Sequence, residues 1–287
     1  MKSLDNFFNS ALQRAYKIDF IRYILSSLVM NISKKRYVFI VGCYDSGTTL
    51  LNYILGCHDG ISSLPTEGVA LTNQLSIPED FGWPRMWYKC MDRIRLKEND
   101  NKVNVSRLKK EWGFWFDKKK PIFIEKSISN SARIKWLNKN FDRPYFIWII
   151  RNGYCVAEGI RRRVKQTKIK AFKYAEEGYP IEWCARQWII NNEIIENEIK
   201  NTKRAIKIKY EDLTDNSETT ISSILQWLPV QNKHVPKFNH FKFHGKTSSI
   251  YNMNNESIAR LSNKDIIKIN EVAGIYLEKW GYPLLGK

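Results

Sequence analysis

The chain has 287 residues, 43% of them apolar, with ten tryptophans, which suits one large globular domain and excludes a disordered protein. Lysine and arginine exceed aspartate and glutamate by 18, which favours anionic partners, although lysines dispersed over a solvated surface explain the same surplus. Five cysteines form no Cys-x-x-Cys pair and four histidines show no ligand spacing, so we expect reduced, buried thiols, a cytoplasmic protein and no structural zinc.

Residues 1–35 predict a helical extension ahead of the main domain. The apolar run at 20–30 is too short to span a bilayer and contains a charge. We expect the apolar face of this extension to pack on the domain, and peripheral contact of residues 7–30 with a membrane is the alternative. The face consists of Phe8, Leu12, Phe20, Ile24 and Leu28.

A strand, a glycine-rich turn and a helix follow in direct succession. The apolar run 36–41 predicts the strand, and the spacing Gly42-x4-Gly47 is that of a phosphate-binding loop. This order aims backbone N–H groups and a helix N-terminus at one point, which suits an anion. Thr48 and Thr49 stand where a nucleotide triphosphatase loop has Lys and then Ser or Thr, so the lysine that reaches terminal phosphates is missing.

Strand-like and helix-like runs alternate along the rest of the chain. They predict a P-loop-like α/β fold of three layers, with a central parallel sheet flanked by helices, in a single domain at 36–287. Further strands are expected at 121–125, 145–150 and 205–210. Helices are expected at 48–56, 130–141, 153–164, 181–200, 217–228 and 264–280.

Three stretches add detail to this organisation. Residues 77–120, rich in tryptophan and charge, predict an insertion that faces the substrate, or else a surface excursion with its own aromatic cluster. Residues 231–255 are loop-like and basic. The last helix carries a core-facing stripe with spacings of three and four: Ile266, Ile269, Ala273, Tyr276 and Trp280.

Three polar residues stand at predicted strand ends. Lys126 and Tyr210 end or directly follow strands, and Arg151 follows the apolar strand 145–150. In an open α/β sheet that edge is where ligands bind, and a buried arginine finds two acceptors in a phosphate. The alternatives are a surface charge for Lys126, an ordinary ion pair for Arg151 and a core residue for Tyr210.

The extended motif Ile40-Val-Gly-x-x-x-Ser-Gly-Thr-Thr-Leu-Leu51 resembles the phosphosulfate loop of sulfotransferases that use 3′-phosphoadenosine 5′-phosphosulfate (PAPS). The arginine-ended strand with its helix at 147–163 and the element Ile208-Lys-Tyr-Glu-Asp-Leu213 are similar to the same family. The similarity is to bacterial and Golgi members, including tyrosyl-protein sulfotransferases, and covers 36–282, thinly over 77–120.

This resemblance implies a site for PAPS and for its product PAP, without a metal. Arg151 and Arg163 are then expected at the 3′-phosphate, and Tyr210 near the adenine. The loop residues expected at the 5′-phosphosulfate are Asp45, Ser46, Gly47, Thr48 and Thr49.

The resemblance also implies two residues for the chemistry. Glu67 is then the general base for a hydroxyl or amine acceptor, and Lys126 supports the bridging oxygen during in-line transfer. A surface charge is the alternative for each. The acceptor belongs to a glycan, lipid, peptide or small molecule; nucleic acid is not expected, because no basic stripe interleaved with aromatics is present. His240 and His244 are the reserve candidates for the base.

Two positions depart from the family pattern. Asp45 stands where most members carry Lys or Arg, and Gly159 where they usually have Ser. We expect Asp45 to oppose the charge of the donor unless its carboxylate points away or pairs with a cation. The alternative functions are a catalytically impaired sulfotransferase-like protein that binds anionic ligands and a divergent P-loop kinase, which the absence of Lys at position 48 disfavours.

Overall fold

A parallel sheet of five strands forms the centre of the protein, seen here in a computed structural model that describes residues 11–30, 32, 35–166, 172–200, 202–238, 241–243 and 246–286. The strand order is β2-β3-β1-β4-β5, with every neighbouring pair parallel. The strands are β1 (Arg36–Gly42), β2 (Ile61–Ser63), β3 (Ile122–Lys126), β4 (Tyr145–Ile150) and β5 (Ala205–Lys209).

Helices cover both faces of the sheet. Phe39 and Val41 of β1 enter one apolar cluster, and Val38 and Ile40 enter the other, which is the alternation of a strand buried on both sides. The helices are α1 (Asp19–Ser27), α2 (Thr48–Gly56), α3 (Met91–Ile94), α4 (Val105–Trp115), α5 (Ile134–Asn140), α6 (Gly153–Val164), α7 (Ile181–Ile199), α8 (Tyr210–Asp215), α9 (Ser217–Trp227), α10 (Asn254–Ala259) and α11 (Asn263–Lys279).

The predicted three-layer α/β fold is confirmed, and one expected helix is divided. The region 130–141 consists of a 3₁₀ turn, Ile128–Ala132, followed by α5, with Arg133 in a non-helical conformation between them (φ −135°). The Arg133 side chain is fully buried and donates to the carbonyl of Ile94 at 2.9 Å. The break allows the guanidinium to reach that buried acceptor.

The C-terminal third differs from the expectation in two places. The stretch predicted as a loop contains an antiparallel hairpin, β6 (Phe241–Phe243) with β7 (Lys246–Ser248). In α11 the buried residues are Ile269, Ala273 and Leu277, followed by Trp280, whereas Ile266 and Tyr276 are only partly buried. The core stripe thus follows the helical spacing through Leu277, which the predicted stripe omitted.

The segment 77–120 belongs to the main core. Trp87 and Trp112 are fully buried in the larger apolar cluster, and Trp112 Nε1 donates to the carbonyl of Gly68 at 2.9 Å. A surface excursion with a separate aromatic cluster is therefore wrong for these residues. The substrate-facing role of the segment stays a prediction.

The helix α1 turns the expected face away from the domain. Phe20, Ile24 and Leu28 are 71%, 44% and 72% exposed, whereas Arg22 is buried. The expectation that the apolar face packs on the domain is wrong for these three residues, because the buried carboxylate of Glu111 takes a cation: Arg22 Nε lies 3.4 Å from Glu111 Oε1. Leu12 is partly buried. Phe8 lies outside the described residues.

All five cysteines are free, and four of them are buried as expected. Cys57 is exposed, because it caps the C-terminal end of α2 at the surface, so its predicted burial is wrong. Among the described residues, no helix combines the length and the apolar character that crossing a bilayer requires.

Candidate functional site

The carboxyl ends of the five parallel strands carry the predicted site residues along one edge of the sheet. Glu67 follows β2, Lys126 ends β3, the phosphate loop follows β1, Arg151 follows β4, and Tyr210 follows β5. Since β1 is central, the loop lies between the Glu67 side and the Arg151 side. The fold thus gathers residues that are up to 165 positions apart in the chain into one row.

The phosphate loop is shaped by two close approaches. Gly47 has φ 89°, and a Cβ there would lie 2.5 Å from the Tyr210 ring; a Cβ on Gly42 would lie 2.5 Å from the carbonyl oxygen of Ile149. Both positions therefore require glycine. The buried Ser46 Oγ has no hydrogen-bond partner among the described residues. An unpaired hydroxyl beside the N-terminus of α2 fits an anionic group such as a phosphate or sulfate.

Arg151 lies on the other side of this loop, almost fully buried. It donates to the carbonyl of Asp45 at 2.7 Å and to Asn254 Oδ1 at 2.8 Å, and its guanidinium lies 4.2 Å from the centre of the Tyr210 ring. The fourth contact, Ser257 Oγ at 3.5 Å, is also neutral. None of these partners is charged, so the alternative interpretation of Arg151 as a member of an ordinary ion pair is wrong. The positive charge of Arg151 can therefore be balanced by a bound anion.

Sequence reasoning missed Asn254 and Ser257, which lie in α10. Glu211 Oε1 accepts from Asn254 Nδ2 at 2.8 Å and from the backbone N–H of Asn152 at 3.1 Å, so Glu211 orients the amide that holds Arg151. The three asparagines at 252, 254 and 255 were the available signal, since asparagine side chains bond nearby backbone groups: Asn252 Oδ1 accepts from the backbone N–H of Asn254 at 3.0 Å, where the helix begins.

Tyr210 packs against both the phosphate loop and Arg151. Its ring contacts Gly47 and Arg151, and its hydroxyl oxygen accepts from the backbone N–H of Met253 at 3.3 Å. Burial raises the pKa of Tyr210, so the side chain is a neutral phenol. Contact of this residue with an adenine stays a prediction.

Glu67 and Lys126 form an ion pair. Lys126 Nζ lies 2.6 Å from Glu67 Oε1, with the lysine side chain 9% exposed and the glutamate side chain 36% exposed. The interpretation of Lys126 as a surface charge is therefore wrong. Glu67 is open to solvent on one side, where an acceptor can approach.

A buried carboxylate that the sequence analysis did not select, Glu125, holds the turn that carries Glu67. Glu125 Oε1 accepts from the backbone N–H of Gly68 at 2.9 Å, and its carboxylate also accepts from Ser127 and Asn130. Burial raises the pKa of Glu125 to about 7 against the opposing effect of these hydrogen bonds. In the sequence, an acidic residue within the otherwise apolar run of β3 was the signal that could have identified Glu125 as a buried carboxylate.

Asp45, one of the two departures, is paired with cations. Arg163 Nε donates to Asp45 Oδ1 at 2.6 Å, and Arg85 forms an ion pair with Oδ2. Burial raises the pKa of Asp45, but the charges of Arg85 and Arg163 outweigh it and hold the pKa below its usual range. The carboxylate turns to Gly159, where a Cβ would lie 2.7 Å from Asp45 Cγ.

Arg85 was not predicted, because nothing in the pattern of Trp83-Pro-Arg85 marks it. Arg163, expected at the 3′-phosphate, contacts Asp45 instead, and a phosphate contact stays a prediction. His240 and His244 lie outside the described residues. Within the described part of the chain, no three His, Cys, Asp or Glu side chains are grouped to hold a metal ion.

Comparison with known proteins agrees with this fold. The sequence profile of the sulfotransferase family matches residues 37–233. The sulfotransferase domain from the curacin biosynthetic pathway is 18% identical, with a TM-score of 0.51 over 87% of this chain and 99% of that domain.

Two mycobacterial structures are similar. Sulfotransferase STF9 from Mycobacterium avium is 15% identical, with a TM-score of 0.51 over 88% of this chain and 79% of its own. Sulfotransferase STF1 from Mycobacterium tuberculosis H37Rv is 10% identical, with a TM-score of 0.52 over 92% of this chain and 85% of its own. At these identities the likeness is one of fold. A search among curated proteins finds no match.

Proposed function

The chain belongs to the sulfotransferase family, and we propose that it transfers a sulfuryl group from PAPS to a hydroxyl or amine acceptor. One observation carries the proposal: the phosphate loop lies between Arg151 on one side and the Glu67–Lys126 pair on the other, all at one sheet edge. A donor that spans the loop would then have its nucleotide at Arg151 and its sulfuryl group toward Glu67.

The donor side is supported by the chemistry of the residues that line it. The N-terminus of α2 and the unpaired Ser46 hydroxyl suit the 5′-phosphosulfate. Arg151 suits the 3′-phosphate, because its present partners are neutral and a phosphate offers charged acceptors. PAPS would supply the activated sulfuryl group.

The acceptor side is supported by the Glu67–Lys126 pair. Glu67 would accept the proton from the acceptor as the acceptor oxygen or nitrogen bonds to sulfur and the bond from sulfur to the phosphate oxygen breaks. Lys126 would stabilise the negative charge that this oxygen gains. The proposed reaction uses no metal. Positioning and electrostatics supply most of the acceleration, as in phosphoryl transfer.

The two alternative functions have less support. An impaired protein that only binds anions was suggested by Asp45 and Gly159, but Asp45 is neutralised by two arginines. A kinase or triphosphatase is disfavoured, because this chain has Thr48 at the loop position where those enzymes carry lysine. Hydrolysis of ATP with magnesium would favour that alternative.

The experiment is a calorimetric titration with PAP. Wild type is expected to bind, and Arg151→Ala to bind about ten- to a hundredfold more weakly, since a charge-assisted hydrogen bond contributes about 1.5–3 kcal/mol. Arg36→Ala is the matched control, because Arg36 forms an exposed ion pair with Asp142 at the amino-terminal end of the same sheet.

No binding of PAP by wild type, or equal binding by wild type and Arg151→Ala, would contradict the assignment. Transfer from labelled PAPS to a panel of glycans, lipids, tyrosine peptides and small alcohols then identifies the acceptor class.

A further inference from the structure

Three arginines converge on Asp45. Arg163 and Arg85 pair with its carboxylate, and Arg151 donates to its carbonyl oxygen at 2.7 Å. One carboxylate among three guanidinium groups leaves a surplus of two positive charges around Asp45 of the phosphate loop. The loop therefore remains electropositive although it carries an acid where relatives carry a base.

The two departures from the family pattern are one structural feature. A Cβ at position 159 would lie 2.7 Å from Asp45 Cγ and 2.8 Å from Asp45 Cβ, well inside van der Waals contact. A serine at 159 would therefore collide with Asp45. Gly159 provides the space into which the Asp45 side chain turns. In this position Asp45 contacts Arg163, which lies on α6 together with Gly159.

Arg85 reaches this cluster from the segment 77–120. Its guanidinium lies 4.8 Å from the centre of the Tyr44 ring, and its Nε is buried without a hydrogen-bond partner among the described residues. Burial lowers the pKa of Arg85, but the negative charges of Asp45 and, more weakly, Glu67 raise it overall. Arg85 thus stands in the electrostatic range of both the phosphate loop and the candidate base.

We propose that Arg85 and Arg163, held by Asp45, supply the positive charge at the 5′-phosphosulfate that residue 45 itself supplies in relatives. This inference rests on the proposed function. Asp45 is the positioning residue, and its carboxylate occupies only part of the ten N–H donors that two guanidinium groups offer. On Arg85 the buried Nε–H has no hydrogen-bond partner among the described residues, and it is the donor that an anion in the loop would meet.

The first test compares two probes, PAP and adenosine 3′-monophosphate, which lacks the 5′-phosphate. Arg85→Ala is expected to weaken the binding of PAP about ten- to a hundredfold and to leave the binding of the monophosphate unchanged. Arg151→Ala should weaken both. Arg95→Ala is the control, because Arg95 lies in the same segment and pairs with Glu198 at 2.9 Å away from the loop.

If wild type binds neither probe, the proposed function fails. The assignment of Arg85 fails, and the proposed function stands, if wild type binds PAP and Arg85→Ala binds it equally well. The same conclusion follows if Arg85→Ala loses affinity for both probes to the same extent. Arg85→Lys keeps a charge beside Asp45, so it serves as the variant if Arg85→Ala does not fold; it should retain part of the PAP affinity.

The second test examines Asp45 itself. Asp45→Asn keeps the size and tolerates the positive φ of 56° but removes the charge that holds the arginines. We expect weaker PAP binding, whereas an aspartate that merely opposed the donor would give tighter binding when neutralised. Tighter binding therefore overturns the positioning role.

The third test examines the coupling with Gly159. Gly159→Ala should displace Asp45 and weaken PAP binding, but in an Asp45→Gly background the same change should have little further effect. Equal, additive losses in both backgrounds would show that the two positions are independent. Circular dichroism of each variant separates loss of binding from loss of fold.

A second inference comes independently from α1, whose amphipathic character is inverted. Its polar residues Arg22 and Ser26 are buried, whereas its apolar residues face solvent. Ten large apolar side chains are exposed in the described structure, and six lie at this helix: Ile18, Phe20, Tyr23, Ile24, Leu28 and Met30. A concentration of this kind marks an interaction surface.

The charge around this surface is complementary to anionic lipid. Lys17 is exposed beside this surface, the acid there, Asp19, is paired with Arg22, and the chain as a whole has a surplus of 18 positive charges. We infer that this face of α1 lies in the headgroup region of an anionic membrane, with the apolar side chains inserted and Lys17 at the lipid phosphates. The ion pair between Arg22 and Glu111 holds the helix on the domain in that orientation.

The test is co-sedimentation with phosphatidylcholine vesicles that contain or lack phosphatidylserine. Wild type should bind the anionic vesicles, and a Phe20→Ser, Leu28→Ser variant should lose at least about tenfold in binding, because two large apolar side chains no longer leave water. The control is Ile267→Ser, Ile275→Ser, which removes two exposed apolar residues from α11.

No binding of wild type to anionic vesicles would overturn the inference. A concentration-dependent dimer in light scattering that the Phe20→Ser, Leu28→Ser variant abolishes would assign the face to a second copy of the chain and overturn it as well.

Discussion

At the scale of single residues, Glu67 is the side chain on which the proposed chemistry depends most directly. Gln at this position keeps the size and can still contact Lys126, but it cannot accept a proton. Glu67→Gln is expected to reduce turnover by about 10²–10⁴-fold, with PAP affinity changed little, because in the proposed reaction Glu67 serves the acceptor and not the nucleotide. Turnover and calorimetry are measured together once an acceptor is known.

The exposed Glu218→Gln provides the control for this substitution. Near-normal turnover of Glu67→Gln would reject the base assignment and bring His240 and His244 forward. A joint loss of turnover and PAP affinity would instead indicate that Glu67 serves the fold.

Glu125 predicts a pH dependence of stability. Its pKa rises from 4.5 to about 7 on folding, which corresponds to about 3 kcal/mol. A raised pKa means that the folded state binds the proton more tightly. This contribution is present below pH 4.5 and is lost as the pH rises through about 7.

Urea unfolding from about pH 5 to about pH 8 should therefore show wild type losing stability relative to Glu125→Gln, whose residue 125 does not titrate. The other titrating groups are common to both proteins and cancel in the difference. Parallel curves over this range would show that Glu125 is ionised throughout.

At the scale of secondary-structure elements, α4 and the turn that carries Glu67 act together. Trp112 of α4 donates to the Gly68 carbonyl, and Phe at this position keeps most of the ring but leaves that buried oxygen unpaired. Trp112→Phe is expected to cost about 1–3 kcal/mol of stability and to reduce turnover more than PAP affinity.

Trp136→Phe is the matched control, because Trp136 is equally buried and donates to the carbonyl of Asp100 at 3.0 Å, away from the site. The two variants should lose similar stability in urea, and only Trp112→Phe should lose turnover. Equal turnover in both would contradict the role of α4 in holding the Glu67 turn.

The elements also show how far sequence reasoning reaches. β1 and β4 were predictable because their runs are almost continuously apolar, whereas β2, Ile61–Ser63, is too short and polar to be given bounds. The edge that gathers Glu67, Lys126 and Arg151 follows from parallel pairing. Arg85 was not predictable, since its contact partner Asp45 is 40 positions away in the chain and no local pattern links the two residues. The orientation of α1 was predicted wrongly because it depends on the buried charge of Glu111, which local patterns do not reveal.

At the scale of the whole molecule, the thiols report on the integrity of the core. Burial raises the pKa of Cys90 to about 11 and that of Cys155 to about 12, and Cys43 and Cys184 are fully buried. A native titration with a thiol reagent should therefore show rapid reaction at Cys57 alone, and at all five cysteines after denaturation. Rapid reaction of a second thiol in the native protein would contradict the described packing.

The row of strand ends has a consequence for the way the protein can be divided. In space the order runs from Glu67 through Lys126 and the loop to Arg151 and Tyr210, whereas along the chain the loop comes first. No contiguous fragment of the chain short of 45–210 therefore contains these residues, and a cut between β3 and β4 separates the loop, Glu67 and Lys126 from Arg151 and Tyr210. Such a split protein should recover donor binding only when its two fragments reassemble the sheet, which makes ligand binding a direct readout of complementation between them.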